Sequence, residues 1–316
     1  MVFRRLVSRA VAGAAALAVL AGGAPAAGAA PAPAQDAAAP APAAAAGLDA
    51  PLPSKEELVR KVRRAVRLDY ELQHGYTYIE VRRDVKVSKL GKVTVGPLRT
   101  FEVYPSSQPG RTYKRLIAID GKPLDPEELA RRDAEHRQNM INQAEALKNE
   151  TPEQREKRLE KEAKERRERD ALIEDAFAVF EPTIVGREVV DGYPVVLVTL
   201  RPRPYSQPKT REGRWMKKFS GRMWVDDTDG QIVKIDMVAD DDITVGWGIV
   251  GRVHKGSRLV FSRRKVNDEV WLPASSYIDA SGRTLLFRRF DVELRTEYRD
   301  YKKWSVDTTV SFSVPD

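Results

Sequence analysis

The chain has 316 residues and a formal net charge of +8, from 54 Lys and Arg residues against 46 Asp and Glu residues, and it contains no Cys. The lack of Cys excludes disulfides, thiolate metal sites, Cys nucleophiles and a lipid-modified Cys. Both signs of charge are mixed along the chain without a clustered basic stripe, which argues against nucleic-acid binding. Contact with an anionic membrane surface stays open.

Residues 1–30 have the pattern of a cleavable export signal. Three arginines, Arg4, Arg5 and Arg9, precede an apolar run that ends near Leu20, and small residues follow. This order is typical of a secretory signal peptide. The apolar run is shorter than the roughly 20 residues that a transmembrane helix needs. We therefore expect a periplasmic protein that does not span the membrane, exported by either the general or the twin-arginine route.

Residues 31–52 are almost wholly Ala and Pro, a composition that cannot bury a core. We expect a disordered linker there and a single domain over 53–316. An amphipathic helix is predicted to begin at Ser54, because Ser54 and Glu57 form a capping box. Apolar residues then recur every three or four positions, with basic residues on the other face.

Extended segments with alternating side chains follow the helix and return after residue 180. In the first of them Tyr76, Tyr78, Glu80 and Arg82 alternate with more apolar neighbours, and the two tyrosines share a face that is either rim or lining. Tight turns between neighbouring segments indicate an antiparallel meander. The predicted strands cover roughly 77–87, 92–104, 113–119, 183–190, 195–200, 215–226, 231–238, 246–253, 257–266, 270–278, 289–298 and 304–314.

The segment 125–180 interrupts this pattern. Two helices are predicted in it, the first to about Lys148 and the second from about Thr151. The stretch 153–170 is nearly all charged, with opposite signs at helical i,i+4 distances. We interpret the segment as a solvated helical hairpin, favouring a surface excursion over a partner-binding arm.

These patterns predict a mainly β (α+β) fold. A long sheet with one apolar face must curl or split. We expect a strongly curved antiparallel sheet that forms an unclosed half-barrel. The N-terminal helix would lie over its concave face, and the long charged hairpin would be inserted.

The stretch from Phe219 to Ile235 resembles a hairpin of the LolA-like periplasmic outer-membrane lipoprotein-sorting superfamily. It has an aromatic-apolar-Asp end at Trp224-Val225-Asp226 and a turn that closes at Gly230. The resemblance covers roughly 54–120 and 181–314, and the charged hairpin departs from it. It implies an unclosed β-barrel with helices in its mouth, around an apolar cavity that carries or senses acyl chains of lipids or lipoproteins.

No catalytic or metal motif stands out. The residues His74, His136 and His254 have no spacing for a metal site or a catalytic triad. The acidic clusters 226–229 and 240–242 are better explained as turn residues than as calcium ligands. The glycines of 246–251 have dinucleotide-loop spacing but no following helix, so we expect a flexible or bulged strand with Trp247 packed locally.

We therefore expect a monomer that is not an enzyme, needs no cofactor or metal, and is a periplasmic carrier or sensor of a lipid or lipoprotein acyl chain. The alternative is a non-enzymatic envelope interaction module that uses the hairpin 125–180 to bind a protein partner or a membrane surface. A filled cavity favours the module and an open cavity favours the carrier. The residues predicted to line the apolar cavity are Leu58, Val62, Val66, Phe290, Val292, Leu294, Trp304, Val306, Val310 and Phe312.

Overall fold

The computed structural model describes residues 51–72, 75–105, 112–245, 251–285 and 287–303, with backbone only at 69–72 and 245. The predicted signal peptide 1–30, nearly all of the linker 31–52, and the predicted strand 304–314 lie outside the described residues.

The first described element is the predicted amphipathic helix, α1, which spans Lys55–Leu72. The hydroxyl of Ser54 accepts a hydrogen bond of 3.2 Å from the backbone N–H of Glu57, as an N-cap should. The apolar stripe of α1 is buried and its basic face is directed outward. The sequence prediction for this helix is confirmed.

Thirteen strands form one antiparallel sheet within the described residues. They are β1 Tyr76–Val87, β2 Val93–Tyr104, β3 Tyr113–Ile119, β4 Lys122–Pro123, β5 Phe180–Val190, β6 Tyr193–Pro202, β7 Phe219–Asp226, β8 Ile232–Ala239, β9 Ile243–Val245, β10 Gly251–Val253, β11 Arg258–Val266, β12 Val270–Thr284 and β13 Arg288–Lys303. The remaining helices are α2 Pro126–Lys148, α3 Pro152–Val179 and α4 Arg211–Met216.

The sheet is curved and does not close. Its main path runs β4-β3-β2-β1-β13-β12-β11-β8-β7-β6-β5, and the β9–β10 ribbon pairs with β12 beside this path. The predicted unclosed antiparallel half-barrel is therefore confirmed. The pairing of β13 with β1 joins the N-terminal meander to the rest of the sheet.

One face of the sheet, the concave face, carries the main core. Leu294 on β13 lies opposite Ile278 on β12, and Ile278 lies opposite Leu259 on β11. Because side chains alternate between the faces of a strand, one apolar face runs continuously through these strands to β5. Leu58 and Val62 of α1 are buried in this cluster, so the helix lies over the concave face as expected.

The opposite, convex face has a smaller cluster. It includes Val195, Leu197, Trp224 and Trp271, while Val196 belongs to the concave core. This explains the nearly continuous apolar run of β6, because its side chains are buried on both faces of the sheet.

The predicted strand 215–226 is wrong at its beginning. Trp215 is in the short helix α4, and β7 begins only at Phe219. Thr210 caps α4 by accepting a hydrogen bond of 2.8 Å from the N–H of Gly213. The buried carboxylate of Asp175 accepts hydrogen bonds from the N–H of Thr210 and its neighbour. This long-range contact, which local sequence cannot reveal, fixes the helical turn.

The segment 125–180 holds two long helices that do not pack along each other. Thr151 and Gln154 form a complete capping box at the start of α3, so the two helices are separated by a sharp break. The inserted helical hairpin is confirmed, and its two helices make few contacts with each other. We call α2 and α3 together the arm.

Candidate functional site

The six described members of the predicted cavity set belong to, or pack against, one extended hydrophobic cluster. Leu58, Val62 and Val66 of α1 and Val292 and Leu294 of β13 belong to the concave core, where each is at most 6% exposed. Phe290 packs against the same cluster. These five side chains are almost inaccessible to solvent, so they are core residues in this conformation. A ligand-binding role for them stays a prediction. The other four members, Trp304, Val306, Val310 and Phe312, lie outside the described residues.

Polar contacts between α1 and the β7–β8 turn help to hold the helix on the concave face. Lys61 donates a hydrogen bond of 3.1 Å to the backbone oxygen of Asp227, in the β7–β8 turn. In the same turn Gly230 has a φ of +76°, and a Cβ built on it meets the Cβ of Lys61 at 2.6 Å. Only glycine allows the helix this close approach. The hairpin that carries the family resemblance is therefore where α1 docks.

The basic face of α1 also pairs with acids on α3 and β5. Arg63 and Arg67 both contact the carboxylate of Glu174, and Arg63 lies 4.4 Å above the ring of Phe177. Lys55 pairs with Glu181. These side chains are well exposed, so each ion pair stabilises the closed helix only weakly.

The concave face changes character between β13 and β1. Glu80 on β1 lies between Tyr298 on β13 and Phe101 on β2. Since Tyr298 shares the alternation of Leu294, Glu80 faces the same side of the sheet as the apolar core. Glu80 is only 1% exposed. A carboxylate in this position requires close partners, because burying an unpaired charge is very costly.

These partners form a row of alternating charges, which we call the ionic row: Lys114, Glu80, Arg82, Asp84 and Arg99. The successive nitrogen–oxygen distances along the row are 2.6, 2.9, 3.3 and 2.7 Å. Three cations against two carboxylates leave a net charge of +1. The row is not saturated with hydrogen bonds. The Nε atom of Arg82 and the Oε1 atom of Glu80 lie 2.9 Å apart without hydrogen-bond geometry, and the Nε atom of Arg99 is buried without a hydrogen-bond partner among the described residues.

Tyrosines flank the ionic row on the side of β13. The ring centroid of Tyr78 lies 5.9 Å from that of Tyr298 and 5.3 Å from that of Tyr301. Burial raises the pKa of Tyr78 and Tyr298 far above the ordinary value, and the charge of Glu80 adds to the effect. Burial also raises the pKa of Tyr301, whose hydroxyl donates to the oxygen of Pro273 at 2.7 Å. All three phenols are neutral near pH 7.

Sequence reasoning missed the ionic row. The alternation of Tyr78, Glu80 and Arg82 was visible, but a strand alone does not say which of its faces is concave. The inward direction of Glu80 follows from the pairing of β1 with β13 through Tyr298, a partner more than 200 positions away. Tyr78 lies on the concave face. This corresponds to the lining position and not to the rim position, which the sequence pattern also allowed.

A second buried ionic group anchors the arm to the sheet. The guanidinium of Arg115 on β3 binds the carboxylate of Asp133 on α2 through nitrogen–oxygen distances of 2.9 and 2.8 Å, and it also contacts Glu102 at 3.0 Å. The hydroxyl of Tyr113 donates to Asp133 at 2.9 Å. The ring of Tyr113 stacks on His136 with centroids 3.5 Å apart. Asp133 is the only buried residue of α2, which is described in full.

The groups of this anchor have shifted pKa values. Burial alone would raise the pKa of Asp133, but hydrogen bonds from Arg115 and Tyr113 outweigh burial and lower it. Burial lowers the pKa of His136, against the opposing charge of Asp133. The carboxylate and a neutral imidazole are therefore the stable forms near pH 7.

Beyond this anchor the arm is exposed. Of α3, only residues in the last two turns are buried. Ile141 and Leu147 of α2 and Leu159 of α3 are 37–51% exposed. Leu159 and Arg155 also line a shallow pocket of about 390 Å³ beside the α2–α3 break. The arm is a solvated excursion, as its charge pattern predicted, and it offers apolar residues between its charges.

The remaining predicted features have local roles. Asp226 is buried and accepts hydrogen bonds of 2.8 Å from the N–H of Thr228 and 2.7 Å from the indole of Trp271, so it shapes the turn as predicted. His254 lies 3.5 Å from the carboxylate of Asp242. No three His, Asp or Glu side chains of the described residues are grouped to hold a metal ion. His74 and the segment 246–250, with Trp247, lie outside the described residues.

No helix in the described part of the chain is both long and apolar enough to cross a membrane. No protein-family model matches the chain, and a search of curated proteins finds no match. Among solved structures, the chain is similar to the "Crystal structure of MucB in complex with MucA(peri)" at a TM-score of 0.22 and 10% identity, over 78% of this chain and 94% of that chain. This likeness amounts to a distant relationship at most.

Proposed function

We propose that this protein is a non-enzymatic periplasmic carrier or sensor that binds one amphipathic molecule, a lipid or the acylated end of a lipoprotein. The acyl chain would occupy the concave face beneath α1, and an anionic group would bind the ionic row. One observation carries this proposal: along a single face, the side chains change from apolar at Leu294 to ionic at Glu80, with Thr296 and Tyr298 between them. An amphipathic ligand is divided in the same way, into an apolar chain and a charged group.

The energetics of the ionic row favour a binding role. A buried ionic group is seldom more stabilising than apolar residues of similar volume, so stability alone does not explain five charged residues on the concave face. The cations Arg82 and Lys114 remain 19% and 29% exposed. They are therefore reachable for a ligand carboxylate or phosphate, and the net charge of +1 favours an anion.

The concave face is filled in this structure, which by itself favours the interaction module, so a carrier must displace α1 to admit a ligand. A long acyl chain offsets the cost of this displacement. Each buried aliphatic side chain contributes about 1.5–3 kcal/mol, so separating Leu58, Val62 and Val66 from the core costs about 5–9 kcal/mol. Burying about 14 methylene groups of an acyl chain contributes about 11 kcal/mol at 0.8 kcal/mol each. A long chain therefore offsets the displacement of α1, whereas a short one does not.

The test combines native mass spectrometry of the chain purified from a bacterial periplasm, lipid extraction of the same sample, and titration with a fluorescent fatty acid. We expect a co-purified acyl species and saturable uptake, both reduced by Phe290→Asp. A protein that carries no lipid and takes up no fatty acid refutes the carrier.

Two variants of the ionic row should act in opposite directions. Lys114→Gln removes a cation and should weaken fatty-acid binding about tenfold, since a hydrogen bond to a charged group contributes about 1.5–3 kcal/mol. Glu80→Gln removes a repelling carboxylate and should tighten binding. A row with a structural role alone would weaken binding in both variants or in neither. Lys157→Gln on the arm, at an exposed ion pair, is the matched control.

A second candidate is the envelope interaction module, in which the arm binds a protein partner. The observation that favours it is the exposure of Ile141, Leu147 and Leu159 on two helices that do not pack on each other. A photo-crosslinking residue at position 159 should yield one discrete product in cells, and Ile141→Lys should abolish it. Failure to form a product with the folded protein refutes this role of the arm.

A further inference from the structure

Two turns meet at one end of the sheet. The hydroxyl of Thr284 donates to the backbone oxygen of Gly91. A Cβ built on Gly91, whose φ is +76°, would lie 2.8 Å from the Oγ1 of Thr284 and 3.0 Å from Leu285. The β1–β2 turn and the β12–β13 turn are therefore in direct contact. We call the described residues of 86–92 and 284–291 the tip.

The tip exposes two large apolar side chains. Leu90 is 70% exposed and Phe287 is 75% exposed. Neither is on a loose loop, because Ser88 and Lys92 close the first turn with a backbone hydrogen bond of 2.9 Å, and Phe287 donates its N–H to Leu285 at 2.9 Å. Single exposed apolar residues are common on proteins, so this pair gains meaning only from its surroundings.

Those surroundings are strongly basic. Five exposed cations, against the single exposed acid Asp291, give the tip a net charge of +4. None of the five has an ion-pair partner within the described residues, whereas several cations of the arm, such as Arg132 and Lys157, pair with acids one turn away. The five are Lys86, Lys89, Lys92, Arg288 and Arg289.

We infer that the tip docks the protein on an anionic phospholipid surface. Leu90 and Phe287 insert among the head groups, and the surrounding cations contact lipid phosphates. Apolar insertion together with basic residues is the combination that gives peripheral membrane binding. Each basic residue near an anionic surface contributes about fivefold in affinity. An acidic protein would satisfy the charges of the tip but would not explain the two apolar side chains between them.

Insertion of Phe287 can be followed with one label, because the chain has no Cys. Phe287→Cys is labelled with an environment-sensitive fluorophore, and vesicles of phosphatidylcholine with or without 30% phosphatidylglycerol are added. We expect a blue shift and a rise in emission with the anionic vesicles alone. Tyr205→Cys, at a loop residue that is 94% exposed, is the matched control and should not respond. A silent label at position 287, or equal responses at both positions, overturns the inference.

Vesicle flotation tests the charges. The triple variant Lys86→Gln, Lys89→Gln and Lys92→Gln should lose about a hundredfold in affinity for anionic vesicles, at about fivefold per residue. Substituting Lys157, Lys161 and Lys164 of the arm by Gln changes the net charge equally and should leave binding within about twofold. Equal losses in the two triple variants overturn docking at the tip.

Two further measurements separate this inference from its alternatives. If polyglutamate shifts the label at position 287 while anionic vesicles do not, the tip binds acidic polymers and membrane docking is refuted. The Lys114→Gln variant, which lies outside the tip and should weaken fatty-acid binding, should still float with anionic vesicles. Loss of flotation in a folded Lys114→Gln protein means that lipid capture in the concave face, and not the tip, holds the protein on vesicles.

Discussion

The anchor of the arm gives a sharp stability prediction. Arg115 and Asp133 are 8% and 4% exposed and share three hydrogen bonds, and Arg115 reaches Glu102 with a fourth. Arg115→Met leaves the carboxylate of Asp133 buried, with the hydroxyl of Tyr113 still donating a hydrogen bond to it. Removing one member of a buried pair costs about 3–5 kcal/mol. We expect about 3 kcal/mol here, because Asp133 lies near the surface of the sheet and water can reach it after the substitution.

The double variant Arg115→Met, Asp133→Leu removes both charges and should cost much less than the two single variants together. The double-mutant cycle should give a coupling free energy of about 2–3 kcal/mol, measured as free energies of unfolding in urea. Circular dichroism reports the loss of α2, and Trp fluorescence reports the sheet. Arg131→Met, at an exposed residue that pairs with Glu128, should leave the free energy of unfolding nearly unchanged, because exposed ion pairs contribute little to stability.

Additive effects of the two single substitutions would refute the reasoning. Such a result would mean that the Arg115–Asp133 pair is no better in the folded chain than its separated partners in water. If the substitutions destabilise α2 but leave the urea-induced unfolding of the sheet unchanged, the anchor stabilises the arm alone. The two probes distinguish these results, since all five Trp residues of the chain lie after position 214.

Three further outcomes follow from local contacts. The hydrogen bonds of Arg258 lower the pKa of the buried Asp236. The Arg258–Asp236 pair therefore contributes its full stability above about pH 4, and this contribution is lost as the pH falls through the lower pKa of the folded state. Arg258→Met should make the free energy of unfolding in urea depend less on pH below about pH 4. Gly230→Ala should cost about 1–3 kcal/mol and expose α1 to limited proteolysis, because φ is +76° and the helix backbone fills the space, whereas Gly186→Ala meets nothing within 4 Å. Amide hydrogen exchange should be fastest, outside loops, over 134–172 of the arm.

The fold was largely predictable because period-two alternation survives in most strands. In β13 the uncharged residues Val292, Leu294, Thr296 and Tyr298 alternate with charged residues, and these four are the buried ones. The alternation does not say which strands pair. That β13 lies between β1 and β12 depends on contacts across most of the chain, and this pairing is what turns Glu80 toward the core.

The candidate site was predictable only in its apolar part. Leu58, Val62 and Val66 stand out because the helix period is clear and a capping box marks its start. Lys114 and Arg82 carry no comparable signal, since charged residues in strands usually face water. Their role arises from register, as does the contact of Gly91 with Thr284 that forms the tip. The strand predicted at Trp215 is wrong for the same reason, because the helix that contains Trp215 is fixed by long-range hydrogen bonds to Asp175.

Salt separates the two basic sites of this protein. Cleavage of the predicted signal peptide would remove Arg4, Arg5 and Arg9 and lower the net charge from +8 to +5. The tip carries a net charge of +4 and the ionic row a net charge of +1. At 0.15 M salt the screening length is about 8 Å, which weakens exposed charges far more than buried ones. Raising NaCl from 0.05 to 0.5 M should therefore release the protein from anionic vesicles while fatty-acid binding at the ionic row changes little. A parallel loss of both activities would mean that one surface performs them, and the assignment of separate roles to the ionic row and the tip would be wrong.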